Sequence, residues 1–478
     1  MISRIISAYL PGFSKSIVYM LQNVEYELGP FWRWYKRTTD FAHVMKRRGL
    51  VKTKAATALL LFLVIGMLLQ VILGLWVAYQ GSQQANNLLS LAGLGLIVTY
   101  PFVWVRLVVV ALLAGRIFIV KPLTTIKLQK AKKIFASSKA IKIAVVGSYG
   151  KTTMKELLKT VLSEGKQVAA TPANKNVLSS HANFAANLAG DEDILIIEYG
   201  EGRPGDIARM AQVTKPDGAV ITGIAPAHLD KYPSMQSVYQ DIFSIKDYVD
   251  IKYLYINGDI HEMSQAPKDA KIYSPTSVNG WKITDVKIGF EGVRFTMKKG
   301  AHSMHLHSGL LGKHQVGPLA AVASIADELG LSKQQIEKGI AKTQAFEHRM
   351  QARPLRGAWI LDDTYNGNIE GMKAGLALLM ELPAKRRIYV TPGLVDQGVE
   401  TESVHTELGR TIANAKPDIV VLMQNSATKF IQKGLLERGY KGTIQIEENP
   451  LEYYTNIEHV VASGDVVMMQ NDWPDNYN

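Results

Sequence analysis

Ile141-Lys-Ile-Ala-Val-Val146 runs straight into Gly147-Ser-Tyr-Gly-Lys-Thr-Thr153, and this stretch decides the fold. The β-branched run suits a short strand buried in a parallel sheet. The glycines that follow let backbone N–H groups face an anion. The next residues, MKELLKTVL, carry the period of a helix whose positive N-terminal end points at the same place. Strand, glycine-rich turn, Lys-Thr and helix make a phosphate-binding loop. In that reading Lys151 reaches terminal phosphates and Thr152 ligates Mg²⁺, with Gly147, Ser148, Tyr149, Gly150 and Thr153 forming the cradle. The spacing GxxGKT is shorter than the usual loop of this kind, so the flanking strand and helix carry the assignment.

Working outward, a second strand, Ile194–Ile197, ends at Glu198, and a third, Gly218–Thr222, leads to Ala225-Pro-Ala-His228. Ligands of open α/β sheets bind beyond the C-terminal ends of parallel strands. Glu198 alone reads equally as a metal ligand or a solvated edge residue, and His228 alone reads more often as an ordinary packed histidine. Their shared position at strand ends favours a common metal. Strands alternate with helical patterns from Ile141 to about Asp247, which predicts a parallel sheet with helices on both faces. Lys271–Ser308 alternates like antiparallel strands and predicts a small β insertion. After Arg349 the strands AWILDD, RIYVTP and DIVVLM predict a second doubly wound α/β domain, with a cleft between the two.

The chain of 478 residues has no cysteine, which excludes disulfides and thiolate metal sites. Its net charge of +12 is concentrated in residues 1–140, where 18 basic residues face only Glu25, Glu27 and Asp40. The remainder is slightly acidic, which argues against a nucleic-acid partner. No charged residue lies between Lys54 and Arg106. Two apolar stretches there, roughly Ala55–Tyr79 and Leu88–Leu113, each exceed the ~20 residues needed to cross a bilayer. Positive charge flanks both outer ends, so a two-helix hairpin with both ends in the cytoplasm is expected. In residues 1–50, Trp32, Trp34 and Tyr35 alternate with Arg33, Lys36 and Arg37. That pattern fits an interfacial segment or an amphipathic helix packed on the soluble part. Lys121–Ala140 reads as a basic linker.

The runs GSYGKTTMKELL, TPANKN, IEYGEGRPGDIA, ITGIAPAHLD, LLGKHQVGPLAAVASIADELG, EHRMQ, ILDDTYNGNIEGMKAGL and TPGLVDQG occur in the order found in the Mur ligases, a family the chain resembles from Ile141 to Gly398. The resemblance implies a ligase that uses ATP and Mg²⁺ to activate a carboxylate as an acyl phosphate, which an amine then attacks. It implies phosphate binding by Lys151 and Thr152, metal ligation by Glu198 and His228, an arginine, Arg349, reaching ATP from the interdomain junction, and nucleotide binding by Asp363. Asn174 and Asn176, in TPANKN, and Asn366 and Asn368, beside Asp363, are the implied substrate-binding residues. His405 sits where relatives often carry histidine, with no role assigned. The partners implied are a cell-wall peptide precursor, linked to UDP or to lipid, and an amino acid or a D-alanyl-D-alanine-type dipeptide.

Three departures stand out. The hairpin and linker occupy the place of the family's N-terminal UDP-binding domain. The family's carbamylated lysine falls on Ile242, which leaves Lys246, one helical turn on, as the candidate substitute. The adenine motif after His314 reads Gln315 and Pro318, of which Gln315 can hydrogen-bond adenine and Pro318 cannot. The expected organisation is an interfacial segment 1–54, a membrane hairpin 55–116, a linker 117–140, a central ATP-binding domain 141–345 and a C-terminal domain 346–478. The catalytic part is expected on the cytoplasmic side of the inner membrane. The alternatives are a tethered ligase for another peptide polymer, or a nucleotide-binding scaffold that has lost catalysis.

Overall fold

The computed structural model describes the chain apart from residues 1, 25, 43, 45–49, 174, 226–231, 346–347, 365–368, 395–399 and 472–478. It divides into two compact units, Met1–Ile126 and Lys127–Asn478.

The first unit begins with three short helices, α1 (Ile2–Ala8), α2 (Phe13–Asn23) and α3 (Leu28–Arg37). Two long ones follow, α4 (Lys54–Gln83) and α5 (Asn87–Gly115). By length and composition α4 and α5 can cross a membrane. The expected GSQQANN connection is shorter in the structure because α4 continues through Gln83. Asn86 then caps α5 by accepting from the Leu88 and Leu89 amides. Gly74 and Gly93 bring the two backbones together, since a Cβ at Gly93 would strike the backbone of Ala78. The N-terminal helices share one core with this pair: Ile17, Leu21, Phe31 and Phe41 pack with Leu59, Leu63, Val105 and Val108. A π-helical turn, Arg116–Val120, precedes α6 (Lys121–Ser137), so the expected linker is helical.

The second unit holds two sheets. The first takes in β1 (Ile141–Val146), α7 (Lys151–Leu162), β2 (Val168–Ala170), α8 (Leu178–Ala185), β3 (Ile194–Glu198), α9 (Asp206–Thr214), β4 (Gly218–Ile221), α10 (Met235–Phe243), β5 (Leu254–Asn257) and β6 (Lys271–Tyr273). Strands β2-β3-β1-β4-β5-β6 are parallel. Their alternate residues feed opposite faces. Ile143 and Val145 join one core, while Ala144 and Val146 join the other with Ala131 and Phe135 of α6.

The expected β insertion of the central domain continues that domain's own sheet. β7 (Ser277–Val278), β8 (Trp281–Gly289), β9 (Gly292–Lys299) and β10 (His302–Ser308) pair antiparallel in succession from the edge of β6, extending the same sheet to ten strands. Its inward residues, Trp281, Phe295, Met297 and Leu306, join the main core under α11 (Val316–Glu328) and α12 (Lys333–Ala341). A free edge strand exposes unpaired backbone groups, and pairing satisfies them. Ser332 and Gln335 form a capping box at the start of α12.

The second sheet follows the expected α/β pattern. It comprises β11 (Gln351–Leu355), β12 (Ala358–Asp363), α13 (Ile369–Glu381), β13 (Arg386–Thr391), α14 (Thr401–Ala415), β14 (Ile419–Met423), α15 (Thr428–Glu437), β15 (Thr443–Glu447), α16 (Pro450–Thr455), α17 (Ile457–Val460) and β16 (Asp465–Gln470). The order is β11-β12-β16-β13-β14-β15, with only the β11–β12 pair antiparallel. Phe290, at the β8–β9 turn, stacks on Trp359 of β12 with ring centroids 4.4 Å apart, tying the two sheets' domains together.

Candidate active site

The glycine-rich turn between β1 and α7 forms as the sequence predicts. Gly147 adopts φ +148°, and a Cβ there would run into Thr222 Oγ1 and the Gly223 carbonyl. Gly150 at φ +77° is the N-cap of α7. No side chain caps that helix, so its first-turn amides are available to an anion. Lys151 is folded back. Its ammonium donates to the Gly147 carbonyl, to the Ser148 carbonyl at 3.2 Å, and to Glu201 Oε2 at 2.7 Å. The Ser148 hydroxyl is buried without a hydrogen-bond partner.

One turn along α7, Lys155 is fully buried and sits on the second carboxylate of the site. Glu198, at the end of β3, lies 3.3 Å from Lys155 Nζ through Oε2. Its Oε1 accepts from Thr152 Oγ1 at 3.2 Å and from Asn176 Nδ2 at 3.3 Å. Lys155 also donates to the Ala173 carbonyl. Glu198 is held at its backbone too: its amide donates to Thr171 Oγ1 at 3.0 Å, and its carbonyl meets His181 Nε2 at 2.9 Å. Burial lowers the His181 pKa to about 4, so the ring is neutral, and the bond to a carbonyl makes Nε2 the protonated nitrogen.

These donors fit Mg²⁺. Thr152 Oγ1 and Glu198 Oε1 are hard oxygen atoms 3.2 Å apart, the donor type Mg²⁺ takes, and Glu198 Oε2, 3.3 Å from the Lys155 ammonium, is a buried oxygen without a hydrogen-bond partner. Among the described residues no cluster of three or more His, Asp or Glu completes a metal site. His228 lies outside the described residues, as do Asn174, Asn366 and Asn368.

Beside the loop opens a cavity of about 650 Å³, a size suited to a nucleotide. Tyr149, Gly150 and Thr153 form one wall, His314, Gln315 and Pro318 another, and Arg349, Asp363 and Lys373 the wall contributed by the C-terminal domain. Burial of His314 pushes its pKa down to about 4, and its neutral ring pairs with Gln315 Nε2 at 3.0 Å. Pro318 occupies the first turn of α11, where no intrahelical N–H is lost. Asp363 accepts from the Met350 amide at 3.2 Å and from Gln470 Nε2 at 2.7 Å. Burial raises its pKa to about 6, against the pull of those two bonds and of Arg349. Tyr149 is pushed up to about 12, again chiefly by burial.

Three predicted positions fall elsewhere. Ile242 is a fully buried core residue of α10, packed among apolar neighbours. Lys246 is not brought to Glu198: it lies in the 3₁₀ turn Ser244–Asp247, and its ammonium donates to the Gln265 carbonyl at 3.2 Å. The one-turn argument fails because the helix tightens at Ser244 and turns the side chain away from the continuing α-helical face. His405 is buried in α14. Its Nε2 accepts from the Leu394 amide at 3.0 Å, and its Nδ1 bonds the Thr401 carbonyl at 2.6 Å, fixing the chain after β13. Sequence reasoning missed Lys155 and Glu201. The available signals were the spacing of Lys155 from Lys151, one turn on the same face, and the closeness of Glu201 to Glu198.

Two family models match the second unit. One, the Mur ligase middle domain, covers residues 145–326. The other, described as Mur ligase, glutamate ligase domain, covers residues 348–470. The chain belongs to the Mur ligase family. Among curated relatives, the UDP-N-acetylmuramoyl-tripeptide–D-alanyl-D-alanine ligase of Escherichia coli is 27% identical over 287 residues, covering 58% of this chain and 63% of that protein. The Bacillus subtilis enzyme of the same name is 24% identical over 332 residues, covering 69% and 72%. The chain thus spans roughly two thirds of the length of these Mur ligases. Among solved structures, a MurF from Acinetobacter baumannii aligns with TM-score 0.64 and 21% identity over 73% of this chain and 77% of that one. The MurF ligase of Thermotoga maritima in complex with ADP aligns with TM-score 0.63 and 21% identity over 73% and 80%. These two likenesses establish the Mur ligase fold.

Proposed function

We propose that the chain is an ATP- and Mg²⁺-dependent amide ligase. It joins the terminal carboxylate of a peptidoglycan peptide precursor to the amino group of D-alanyl-D-alanine or a similar amine. The observation that carries the proposal is the cavity in which the uncapped start of α7 faces Arg349 and Asp363 of the second domain. The curated relatives bear names that specify this reaction on a UDP-linked tripeptide.

In the first step a carboxylate oxygen of the precursor attacks the γ-phosphorus of ATP, and ADP leaves. The amine nitrogen then attacks the acyl carbon, phosphate departs, and the nitrogen's proton is lost. Charge spreads over the transferring phosphoryl group, so the protein's task is electrostatic and positional. Lys151 exchanges Glu201 for the terminal phosphates. The α7 amides and Arg349 hold the remaining phosphate charge, Asp363 and Gln315 the nucleoside. Thr152, Glu198 and His228 would hold Mg²⁺, which would supply positive charge to the phosphate oxygens. Lys155 keeps the Glu198 carboxylate aimed, and Asn176, with Asn174, Asn366 and Asn368, orients the acceptor. Helices α4 and α5 form a two-pass membrane anchor, with the active site on the ATP-containing cytoplasmic side.

The test is ADP release by the purified full chain, supplied with UDP-N-acetylmuramoyl-tripeptide and D-alanyl-D-alanine, with product mass read by mass spectrometry. A mass gain equal to the dipeptide less water supports the reading. ADP release that ignores the added amine, or none at all, refutes it.

A further inference from the structure

The N-terminal helices are the part of the molecule that the ligase reaction leaves unused. We propose that α1 and α2 form a shallow wedge in the lipid of the cytoplasmic leaflet, a second membrane contact beside the hairpin. This rests on the hairpin reading and goes beyond it.

Depth is the first argument. The antiparallel register of α4 and α5, with Gly81 against Ser90, Gly74 against Gly93 and Phe62 against Trp104, sets Arg106 level with the neighbourhood of Phe62. From that level to the turn after Gln83 both helices lack charge. The distance is about 30 Å at the α-helical rise, the thickness of a hydrocarbon core. Arg106 therefore marks the cytoplasmic boundary of the lipid.

The wedge reaches above that boundary. The Tyr9 hydroxyl donates to the Val98 carbonyl, and its ring packs edge-on against Tyr100 and Phe102 at 5.5 and 6.4 Å. Ser14 Oγ lies 3.5 Å from Met67 Sδ. Val98 and Met67 stand about 12 and about 8 Å inside the boundary by helical rise. The two ends of the wedge stay at the basic level. Arg4 donates to the Tyr35 carbonyl at 2.8 Å and covers the Tyr35 ring at 5.1 Å. Gln22 closes two hydrogen bonds with the backbone of Val51, at 2.9 and 3.0 Å. The chain therefore goes in along α1, turns at Leu10–Gly12 and comes back along α2.

Surface chemistry is the second argument. Ile5 and Ile6 of α1 and Leu10 of the turn after it are exposed large apolar side chains. Water would leave these side chains solvated, whereas lipid at this depth buries them. Lys15 is exposed near the tip, and its stem is long enough to carry the ammonium back to the headgroups. Arg33, Lys36 and Arg37 are exposed on α3, at the headgroup level, while Phe31 and Tyr35 are turned inward. Basic residues there select anionic phospholipid.

The chain's lack of cysteine makes the test direct. Single-cysteine variants Leu10→Cys, Leu75→Cys and Lys441→Cys of the full chain are labelled with a fluorophore. Each is reconstituted in vesicles of phosphatidylglycerol and phosphatidylcholine brominated either near the headgroup or near the chain end. The Leu10 probe should be quenched at least twofold more by shallow bromine than by deep, and be shielded from aqueous iodide. The Leu75 probe should prefer deep bromine, and the Lys441 probe should see only iodide. Omitting phosphatidylglycerol should halve the shallow quenching at Leu10. If the Leu10 probe is as open to iodide as the Lys441 probe while Leu75 stays deep, the wedge is refuted and the hairpin stands. If Leu75 is open to iodide, the hairpin fails and the wedge with it. Unchanged quenching without phosphatidylglycerol would overturn the anionic-lipid assignment.

Discussion

The two compact units place their polar and apolar groups in opposite ways. In the catalytic unit the core is apolar, and two buried ion pairs lie side by side at the start of α7: Lys151 on Glu201, Lys155 on Glu198. In the N-terminal unit large apolar side chains such as Leu69, Trp76 and Leu91 face outward, and a polar group sits between the helices. There Gln70 accepts from the Trp104 indole N–H at 2.8 Å and donates to the Leu96 carbonyl at 3.0 Å. The difference is the one expected if α4 and α5 face lipid, as proposed above, and the catalytic unit faces water. It also separates two uses of interior polar groups. The half-buried Gln70–Trp104 pair fastens two helices, whereas the Lys151–Glu201 and Lys155–Glu198 pairs lie where the nucleotide is proposed to bind, and burying charge for stability alone gains little.

The largest effect should come from removing the ammonium meant for phosphate. Lys151→Ala is expected to lower amide-bond formation about 10²- to 10³-fold, the scale set by loss of one transition-state charge contact. The melting temperature of the nucleotide-free protein should fall as well, because Glu201 is buried and loses its ion-pair partner. Near-normal ligation would break the claim that this charge pair exists for catalysis.

Lys155 sharpens the contrast within one helix. Its neighbour of one turn earlier is released by substrate, but Lys155 is fully buried and holds Glu198 in place. Lys155→Met should cost about 3–5 kcal/mol of stability by stranding a buried carboxylate. The double variant Lys155→Met/Glu198→Leu should regain most of that stability in denaturant titration while remaining inactive. Glu198→Ala and Thr152→Ala should each lose activity that raised Mg²⁺ partly restores. A double variant as unstable as the single one would show that the ion pair is not what Lys155 contributes.

Titration gives a smaller effect with two opposing signs. His181 and His314 have pKa values lowered to about 4, against an ordinary value of 6.5. The unfolded chain therefore takes up protons first, and stability is fully present above pH 6.5 and falls as pH drops towards 4. Each can contribute up to about 3 kcal/mol. Asp363 runs the other way. Its pKa is raised to about 6 from 3.8, so its contribution is present below pH 3.8 and is lost as pH rises through 6. His181→Gln should flatten the acid limb of a stability–pH curve, and Asp363→Asn should raise stability above pH 6 by about 2 kcal/mol. Identical curves for wild type and both variants would contradict the burial of these groups.

Much of this arrangement was legible in the sequence because it rests on local patterns. IKIAVVGSYGKTT specifies strand, turn and helix without help from distant residues, and charge-free runs flanked by lysine and arginine specify the hairpin. What escaped was set by contacts far apart in the chain. A lysine on an amphipathic helix reads as solvent-facing, so Lys155 was invisible until β3 brought Glu198 beneath it. The strands of Lys271–Ser308 were recognisable one by one. Their joining to the main sheet depends on β6 offering an open edge, which no local pattern encodes. Lys246 shows the converse: helical spacing placed it near the site, and a 3₁₀ turn removed it.

The smallest effect lies in the hairpin, and it tests the comparison from the other side. Gln70 is the polar centre of the α4–α5 contact, reaching the Trp104 indole, the Leu96 carbonyl and Thr99 Oγ1 at 3.4 Å. In water-excluded protein, stranding such a group's partners is costly. In lipid the unfolded reference keeps its helices, and the partners find other acceptors there. Measured interhelical hydrogen bonds in membranes accordingly average only about 0.6 kcal/mol. Gln70→Leu should therefore weaken the helix pair by less than about 1 kcal/mol, as read by unfolding in mixed micelles. Close packing at Gly74 and Gly93, where a side chain would meet backbone, should matter more: Gly93→Leu is expected to exceed the Gln70→Leu loss. A Gln70→Leu loss as large as that of Lys155→Met would mean that α4 and α5 pack as a water-soluble core does. The outward apolar face would then need a protein partner rather than lipid to cover it.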